Sequence, residues 1–275
     1  MIPRPFLRAL LAGAAVALLL VAGWAAWQRF GAGAGVPDSQ PRLDVPYVAT
    51  IEEVVDRMLA LAEVGASDHV IDLGCGDGRI LVAAARDRGA TGFGVDLDPR
   101  RIREAEANAR TAGVGDKLRF QVQDLFQAPI ADADVVAIYL LPEINLRLRP
   151  RLLAELRPGA RLVSHAFDMG DWRPDRTAEV EGARIYLWII PARVAGRWTL
   201  TDQQGRSATV AIEQSYQRIS GTITTAAGTR PLAEAQLAGD RLSFVADAGG
   251  GARSFEGRVA GPRIEAADFR MARLG

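Results

Sequence analysis

The sequence predicts an α/β fold with a parallel, doubly wound sheet, followed by a smaller antiparallel β domain. Between residues 46 and 192, apolar segments rich in β-branched side chains alternate with segments of helical periodicity, as βαβ units require. The first clear strand pattern runs directly into three closely spaced glycines. Over residues 196–275, short alternating segments are separated by Gly and Asp turns without a helical pattern, which predicts a small barrel or sandwich.

Residues 1–30 contain an uncharged apolar run from Ala9 to Trp27. Its length approaches the roughly 20 residues that a membrane-spanning helix needs, and tryptophans near its end are typical of interfacial anchors. We therefore expect a transmembrane helix there. A cleaved signal peptide is the alternative, because Gly23–Ala25 fits a small-x-small cleavage site. Residues 31–45, rich in Gly and Pro, are expected to form a flexible linker.

The first predicted helix follows Thr50. Thr50 and Glu53 have the spacing of a capping box, so we expect the threonine to cap the helix. Apolar residues then recur at helical spacing and predict a face that packs on the sheet. These residues are Ile51, Val54, Val55, Met58 and Leu61.

The alternation that follows assigns the remaining elements of this domain. The predicted strands are His69–Leu73, Thr91–Asp96, Lys117–Val122, Ala133–Leu141, Arg161–Phe167 and Arg184–Pro191. Helices are predicted from Ile80 to a stop at Gly89, from the Asp98–Pro99 cap to Gly113, and from Pro142 to an interruption at Pro150.

The glycine-rich turn after the first of these strands carries the strongest functional signal. Gly74, Gly76 and Gly78 alternate after Asp72, directly before a predicted helix. A dinucleotide fingerprint would need glycine where Arg79 stands, so this motif is a different one. Glycines let the backbone approach a ligand, and the helix amino terminus favours phosphate-like or nucleotide-type groups. The alternative is a βα turn that binds nothing.

Acidic residues end two further predicted strands. Asp96 ends the second strand, where a carboxylate can accept hydrogen bonds from both hydroxyls of a ribose. Asp124 follows the third strand, where it can accept a bond from an adenine amino group. Either could instead be an exposed loop acid. Because the carboxyl ends of parallel strands meet at one edge of the sheet, the two acids and the glycine turn predict a nucleotide crevice there.

Together these motifs resemble those of the class I, seven-β-strand methyltransferases that use S-adenosylmethionine. Motif I corresponds to residues 72–78, the acid after it to Asp96, and the third motif to Gln123–Leu125. The phrases PYVAT, YLLPE, LRPRLLAELRPGARLVS and DWRPD are further similar to a subgroup of lysine methyltransferases. That subgroup modifies the mitochondrial ATP synthase c-subunit and the adenine nucleotide translocase, and has bacterial relatives. The resemblance covers residues 46–191, and the β domain lies outside it.

The resemblance implies a Rossmann-like sheet of seven strands, S-adenosylmethionine as cofactor and methyl transfer to a nucleophile, with a protein lysine as the expected acceptor. It places Asp72 near the ammonium group of the cofactor and the glycines beside its methionine part. The residues expected to bind the cofactor are Tyr47, Thr50, Asp72, Gly74, Cys75, Gly76, Gly78, Asp96, Leu97, Asp124 and Leu125.

Two residues after the fourth strand are candidates for the catalytic step. Glu143 occupies a position where such enzymes place acceptor-site residues, although an acid in the first turn of a helix is also favoured by the helix dipole. Tyr139 could line the acceptor channel or pack in the core. His165 and Asp168 end the fifth strand near the same edge, where a structural role is the more common one for a single histidine.

Composition narrows the partners. The formal net charge is zero, so the overall composition does not indicate a protein that binds nucleic acid. The chain has one cysteine and two histidines, which predicts no metal site. A stretch of arginines between residues 147 and 161 could meet phosphates or anionic lipid, but a solvated face is the more common outcome of such a stretch.

The sequence therefore predicts a membrane-anchored methyltransferase with a protein substrate that could itself be a membrane protein. Because the cofactor is made in the cytosol, we expect the catalytic domain on the cytoplasmic side. Arg4 and Arg8 ahead of the apolar run favour instead an inside amino terminus, which would place the rest of the chain outside. Two alternatives remain: a small or lipid-like methyl acceptor, or an exported envelope protein in which the β domain binds a ligand and the nucleotide fold is a scaffold.

Overall fold

The computed structural model describes residues 49–274. The expected transmembrane helix, the linker and Tyr47 lie outside these residues. Within residues 49–274, no helix is long and apolar enough to cross a membrane.

The first part of the described chain is a seven-stranded sheet flanked by helices, as the resemblance implied. Its strand order is β3-β2-β1-β4-β5-β7-β6; β1 to β5 run parallel, and β7 is antiparallel to both of its neighbours. The strands are β1 His69–Leu73, β2 Thr91–Asp96, β3 Leu118–Val122, β4 Val135–Ile138, β5 Arg161–His165, β6 Arg176–Val180 and β7 Ala183–Ile189. The helices are α1 Glu52–Leu61, α2 Arg79–Arg88, α3 Pro99–Thr111 and α4 Pro142–Glu155.

The strand order reverses between β1 and β4. The chain moves from β1 outwards through β2 to β3 and then returns to place β4 on the other side of β1. In open α/β sheets this reversal leaves a crevice at the carboxyl ends of the central strands. The loops that follow β1, β2 and β4 therefore border one crevice.

Two local predictions were wrong, and one strand was missed. The amino-terminal cap of α1 is Ile51, and no side chain caps it; the Thr50 hydroxyl instead contacts His165. Helix α4 continues through Pro150, because that proline is exposed and water can satisfy the carbonyl that loses its donor. Strand β6 was not predicted, because its mostly exposed residues show no apolar alternation.

The second part is a nine-stranded antiparallel sheet, in agreement with the predicted β domain. Each strand pairs with the next along the chain apart from β11 and β12, and β16 pairs with β8. The strands are β8 Gly196–Asp202, β9 Ser207–Ser215, β10 Arg218–Thr225, β11 Gly228–Pro231, β12 Ala233–Ala238, β13 Arg241–Asp247, β14 Ala252–Ala260, β15 Arg263–Glu265 and β16 Phe269–Arg273.

This second sheet is closed. Strands β11 and β12 lie at opposite ends of the strand order, yet only Leu232 separates them in the chain. The backbone N–H of Leu232 donates to the carbonyl of Gly221 in β10 at 2.9 Å, so β11 and β12 together form one bent strand beside β10. Two edges joined by a single residue require a sheet that curls back on itself. Residues 196–273 therefore form an up-and-down barrel.

Large side chains fill the interior of the barrel. Phe244 and Phe255 stack with ring centroids 5.2 Å apart, and Phe269 meets Phe255 edge-on at the same distance. Trp198 is fully buried and donates its indole N–H to the carbonyl of Val194 at 2.8 Å. These apolar contacts make the interior a packed core.

The barrel packs against the α/β domain through a tryptophan. Trp172, in the segment between β5 and β6, is fully buried and donates its indole N–H to Gln217 of the β9–β10 turn at 2.9 Å. The neighbouring Tyr216 stacks on the Trp172 ring at 5.7 Å. A second contact joins the Gly239 turn to Gly159, which precedes β5. This second contact lies at the amino end of β5, opposite the crevice.

Candidate active site

The crevice at the carboxyl ends of β1, β2 and β4 is a cleft that collects most of the predicted site residues. Nine of them line it: Thr50, Asp72, Gly74, Cys75, Gly76, Asp96, Leu97, Leu125 and Tyr139. The cleft is also lined by residues that were not among the predicted binding residues, namely Ala49, Asp77, Arg79, Ile80, Val95, Asp98, Arg100, Arg101, Gln123 and Leu140. Most of these flank predicted residues directly, so their position next to a motif was the available signal.

The glycine turn brings backbone to the cleft wall. Gly74 has a φ of +86°, a conformation that side chains disfavour, and a Cβ atom there would lie 3.0 Å from Leu140. Gly78 has a φ of +76° but serves the packing of the fold, because its Cβ would lie 2.8 Å from the Cβ of Ala105 and 2.9 Å from the ring of Phe120. Gly78 is not among the residues that line the cleft.

Asp72 is a buried acid without a partner for one of its oxygens. The residue is 2% exposed, and its Oδ2 has no hydrogen-bond partner. Burial, with smaller contributions from the carboxylates of Asp96 and Asp77, raises the pKa of Asp72 to about 8. A carboxylate in this position needs a cationic donor in the cleft, and the ammonium group of S-adenosylmethionine is such a donor.

The Asp96 carboxylate is held in place by two backbone donors. The N–H of Gly76 donates to Oδ2 at 3.0 Å and the N–H of Asp98 to Oδ1 at 2.9 Å. Asp98 is itself fixed as the cap of α3, because it accepts from the N–H of Arg100 at 2.8 Å. The side chain of Arg100 also bonds Asp98, which lowers the pKa of that carboxyl. Asp96 is thus oriented to accept hydrogen bonds from ribose hydroxyls.

Asp124 has a local structural role. Its Oδ1 accepts from the N–H of Phe126 at 2.9 Å, and its Oδ2 accepts from the side chain of Gln127 at 3.3 Å. Asp124 is not among the residues that line the cleft, whereas its neighbours Gln123 and Leu125 are. An adenine contact by the Asp124 side chain remains a prediction. In this structure Gln123 and Leu125, rather than Asp124, face the cleft where an adenine would bind.

At the β4 end of the cleft, Tyr139 lines the wall and packs against His165 and Phe167, which do not line the cleft themselves. Tyr139 lies against the ring of His165, with centroids 3.8 Å apart, and is 6.4 Å from the ring of Phe167. The Nδ1 atom of His165 is 3.1 Å from the hydroxyl of Thr50. Burial lowers the pKa of His165, so the imidazole is neutral near pH 7. Glu143 is exposed in the first turn of α4 and does not line the cleft.

The residues of this cleft fit S-adenosylmethionine. The orphaned oxygen of Asp72 matches an ammonium group, the oriented carboxylate of Asp96 matches a ribose, and the turn at Gly74 admits a ligand against the backbone. Sheet order, cleft position and donor set together define a class I methyltransferase that uses S-adenosylmethionine.

Comparisons with known proteins identify the family. A family model described as the ANTKMT methyltransferase domain matches residues 72–176. A protein-lysine N-methyltransferase of Saccharolobus islandicus is 43% identical over 151 residues, which are 53% of this chain and 94% of that protein. The chain therefore belongs to the family of methyltransferases with the ANTKMT domain, as the resemblance in its motifs implied, and is an enzyme of that type.

Two further relatives bear on the acceptor. The adenine nucleotide translocase lysine N-methyltransferase of Mus musculus is 35% identical over 54% of this chain and 65% of the mouse protein. The crystal structure of an RNA methyltransferase from Salinibacter ruber, in complex with S-adenosyl-L-homocysteine, is 51% identical with a TM-score of 0.53. That match covers 54% of this chain and 96% of the other. Both matches leave about half of this chain unaligned.

Proposed function

We propose that the protein transfers a methyl group from S-adenosylmethionine to the ε-amino group of a lysine in a protein. The observation that carries this proposal is the 43% identity with the Saccharolobus protein-lysine N-methyltransferase over nearly all of that protein's length. The mouse relative, which is named for a lysine acceptor, supports it.

An RNA acceptor is the second candidate, because the Salinibacter protein carries the name of an RNA methyltransferase. The arginine stretch argues against it. An RNA site needs cations that are available to phosphates, but four of these arginines are paired with carboxylates of the same chain. The pairs are Arg149 with Asp171, Arg151 with Glu155, Arg157 with Asp134, and Arg161 with Asp68.

The chain's own residues would align the reaction. Bound S-adenosylmethionine supplies a methyl group on a charged sulfonium leaving group, so the protein mainly has to orient donor and acceptor in line. Asp72 and Asp96 would fix the cofactor at its ammonium and ribose ends. Tyr139, at the β4 end of the cleft, would border the acceptor and exclude water from it. A lysine must reach this point as the free amine, which a path to solvent can allow.

Membrane attachment belongs to the same proposal. The apolar run from Ala9 to Trp27 supports an anchor, and the cytosolic origin of the cofactor supports a catalytic domain on the cytoplasmic side. Carbonate extraction of membranes, combined with protease protection in intact and opened cells, tests this. Release by carbonate would contradict the anchor, and cleavage in intact cells would contradict the cytoplasmic side.

The acceptor is tested by methyl transfer from labelled S-adenosylmethionine with the full chain. Membrane protein, total RNA and extracted lipid of the host serve as separate acceptors, and an Asp96→Ala variant is the matched control. We expect label in discrete protein bands that is lost in the control and recovered as methyl-lysine after acid hydrolysis. Label confined to RNA would establish the second candidate, and label in the organic extract would establish a lipid-like acceptor.

A further inference from the structure

The loop after β5 is held in an unusual conformation next to the cleft. Ala166 has a φ of +65°, which is uncommon for a residue with a side chain. The N–H of Phe167 donates to the carbonyl of His165 at 2.8 Å, so the three residues form a γ-turn of the strained, positive-φ kind. Strain of this type persists only where the surroundings enforce it.

Two buried side chains enforce this turn. The hydroxyl of Ser164 donates to the carbonyl of Phe167 at 2.6 Å. The fully buried Asn145 of α4 donates its Nδ2 to the carbonyls of Phe167 and Asp168 at 3.4 and 3.2 Å. The consequence is that His165 and Phe167, one residue apart on either side of Ala166, both lie beside the Tyr139 ring.

This aromatic group is joined to the cofactor side of the cleft. His165 contacts the ring of Tyr139 at 3.8 Å and bonds the hydroxyl of Thr50 through Nδ1. Thr50 and Tyr139 both line the cleft, and the carbonyl of Thr50 accepts from Arg79 of α2 at 2.8 Å. One imidazole therefore connects a residue on the cofactor side with the β4 end.

We propose that Tyr139 and Phe167 form the binding site for the acceptor's alkylammonium side chain, and that His165 positions them relative to the cofactor. This inference rests on the proposed lysine acceptor. Aromatic faces bind the aliphatic stem of a lysine by burial and attract its cationic head, and they hold a methylated ammonium in the same way. His165 is a positioning residue, since it acts through Tyr139 and Thr50.

The electrostatics favour a cation over a nucleobase at this end. The acids Glu143 and Asp168 are exposed on the segments that follow β4 and β5. A polyanion would approach these carboxylates unfavourably, whereas an ammonium group is attracted by them. Stacking of an RNA base on Tyr139 is the outcome that the experiment must separate from this one.

The test uses two probes without backbone charges and the full chain saturated with S-adenosylhomocysteine. One is acetylated, amidated trimethyllysine, and the other is its carbon isostere, which has the same shape without the charge. Ligand-observed NMR titration should show that the wild type binds the cation at least about fivefold more tightly than the isostere. Tyr139→Leu and Phe167→Leu should abolish this preference, and Tyr139→Phe should retain it. Equal binding of the two probes, or no binding of the cation, overturns the proposal.

His165 is tested by two substitutions that separate its contacts. His165→Asn keeps a polar atom near the Nδ1 position for Thr50 but removes the ring beside Tyr139. His165→Phe keeps a ring but removes the bond to Thr50. We expect His165→Asn to lower the affinity for the cationic probe about fivefold and to leave the affinity for S-adenosylhomocysteine unchanged. We expect His165→Phe to lower the affinity for S-adenosylhomocysteine by a similar factor and to leave the affinity for the probe unchanged. Equal losses of both ligands in both variants would reduce His165 to a structural residue and overturn its assignment.

The two proposals can fail separately. Methyl-lysine in labelled protein together with equal binding of the two probes would remove the aromatic acceptor site and leave the lysine activity intact. Label in RNA, with binding of nucleoside monophosphates in place of trimethyllysine, would remove the lysine acceptor and this inference together. In every variant, retained affinity for at least one of the two ligands shows that the protein is folded.

Discussion

The cleft of the α/β domain and the interior of the barrel differ in whether their buried groups find all their partners within the chain. In the cleft, a buried carboxylate oxygen of Asp72 is left without a partner, and a strained turn at Ala166 is held beside the β4 end. In the barrel, Phe244 and Phe255 fill the interior, and strand pairing runs around the closed sheet. The first arrangement is completed by a ligand. The second is complete within the chain and contributes a packed core.

One buried atom of the barrel, like the Oδ2 atom of Asp72 in the cleft, lacks a hydrogen-bond partner. The Nη2 of Arg253 is buried without a hydrogen-bond partner. However, the same guanidinium pairs with Asp268 and lies over the ring of Phe255 at 4.3 Å. Its charge is therefore already compensated. The two regions thus differ in that the Asp72 oxygen has no partner within the protein, whereas the Arg253 guanidinium is paired with a carboxylate.

The largest effect is expected at the junction between the two regions. Trp172→Ala removes a fully buried side chain that contacts Gln217 and Tyr216 of the barrel, and should lower the free energy of unfolding by about 3–5 kcal/mol. Because the Trp172 ring also packs against the ring of Trp188 in β7, with centroids 5.7 Å apart, both regions should lose protection together. Denaturant unfolding with hydrogen exchange resolved by peptide measures this.

The matched control for that variant is Trp198→Ala. Trp198 is equally buried, but it lies in the barrel core. Its loss should reduce exchange protection in the barrel more than in the sheet of β1 to β7. If Trp172→Ala left the barrel's protection unchanged, the barrel would be an independent appendage and the junction would not couple the two regions.

The next effect is the pH dependence that Asp72 imposes. Its pKa is about 8 in the folded protein and near 3.8 when unfolded. Between these values the folded state binds a proton that the unfolded state does not, so stability falls as pH rises, by at most about 1.4 kcal/mol per pH unit, and levels off above about pH 8.

The variant Asp72→Asn isolates this contribution. Without added cofactor, the variant should gain stability relative to the wild type as pH rises from about 5 to about 8, measured by urea unfolding at a series of pH values. An Asp247→Asn variant, which changes a half-buried carboxylate that accepts from the N–H groups of a barrel turn, should not reproduce that gain. A flat difference between wild type and Asp72→Asn would mean that the buried carboxylate is ionised in the absence of the cofactor.

A smaller effect is expected for the ribose site. Asp96→Ala should lower the affinity for S-adenosylhomocysteine about 100-fold, because two hydrogen bonds to a charged acceptor together contribute about 3 kcal/mol to binding. Calorimetric titration measures this, and Asp247→Ala is the control, since it removes an acid at the end of a barrel strand. A loss below about threefold in Asp96→Ala would place the ribose elsewhere.

Local patterns in the sequence predicted much of this architecture. β1 and β2 were predicted with their observed bounds, because apolar strands followed by glycine or acid have clear ends. β6 was not predicted, because an exposed edge strand needs no apolar alternation. The sequence could not decide between a barrel and a sandwich, since closure depends on β8 pairing with β16, strands at opposite ends of the domain's sequence.

The site shows the same division. Asp72, Gly74 and Asp96 belong to local motifs at the ends of neighbouring strands, and their spacing predicted the crevice that they share. The contact between Thr50 and His165 joins residues 115 positions apart, so helix-capping rules assigned the threonine to a different role. Aromatic pairing between Tyr139 and His165 likewise depends on adjacent strands rather than on adjacent residues.

The smallest effect is expected at Glu143, and it sharpens the comparison on the cleft side. A general base contributes about 10²–10⁴ to the rate, whereas an exposed acid in the first turn of a helix contributes only to the helix dipole. Because Glu143 is exposed and outside the cleft lining, Glu143→Gln should change kcat/KM by less than about threefold. Glu155→Gln, at the other end of the same helix, is the control for changes in α4 itself. A loss above about 100-fold in Glu143→Gln alone would show that α4 brings this carboxylate to the acceptor when substrates bind, and the aromatic residues would then share the acceptor site with a base.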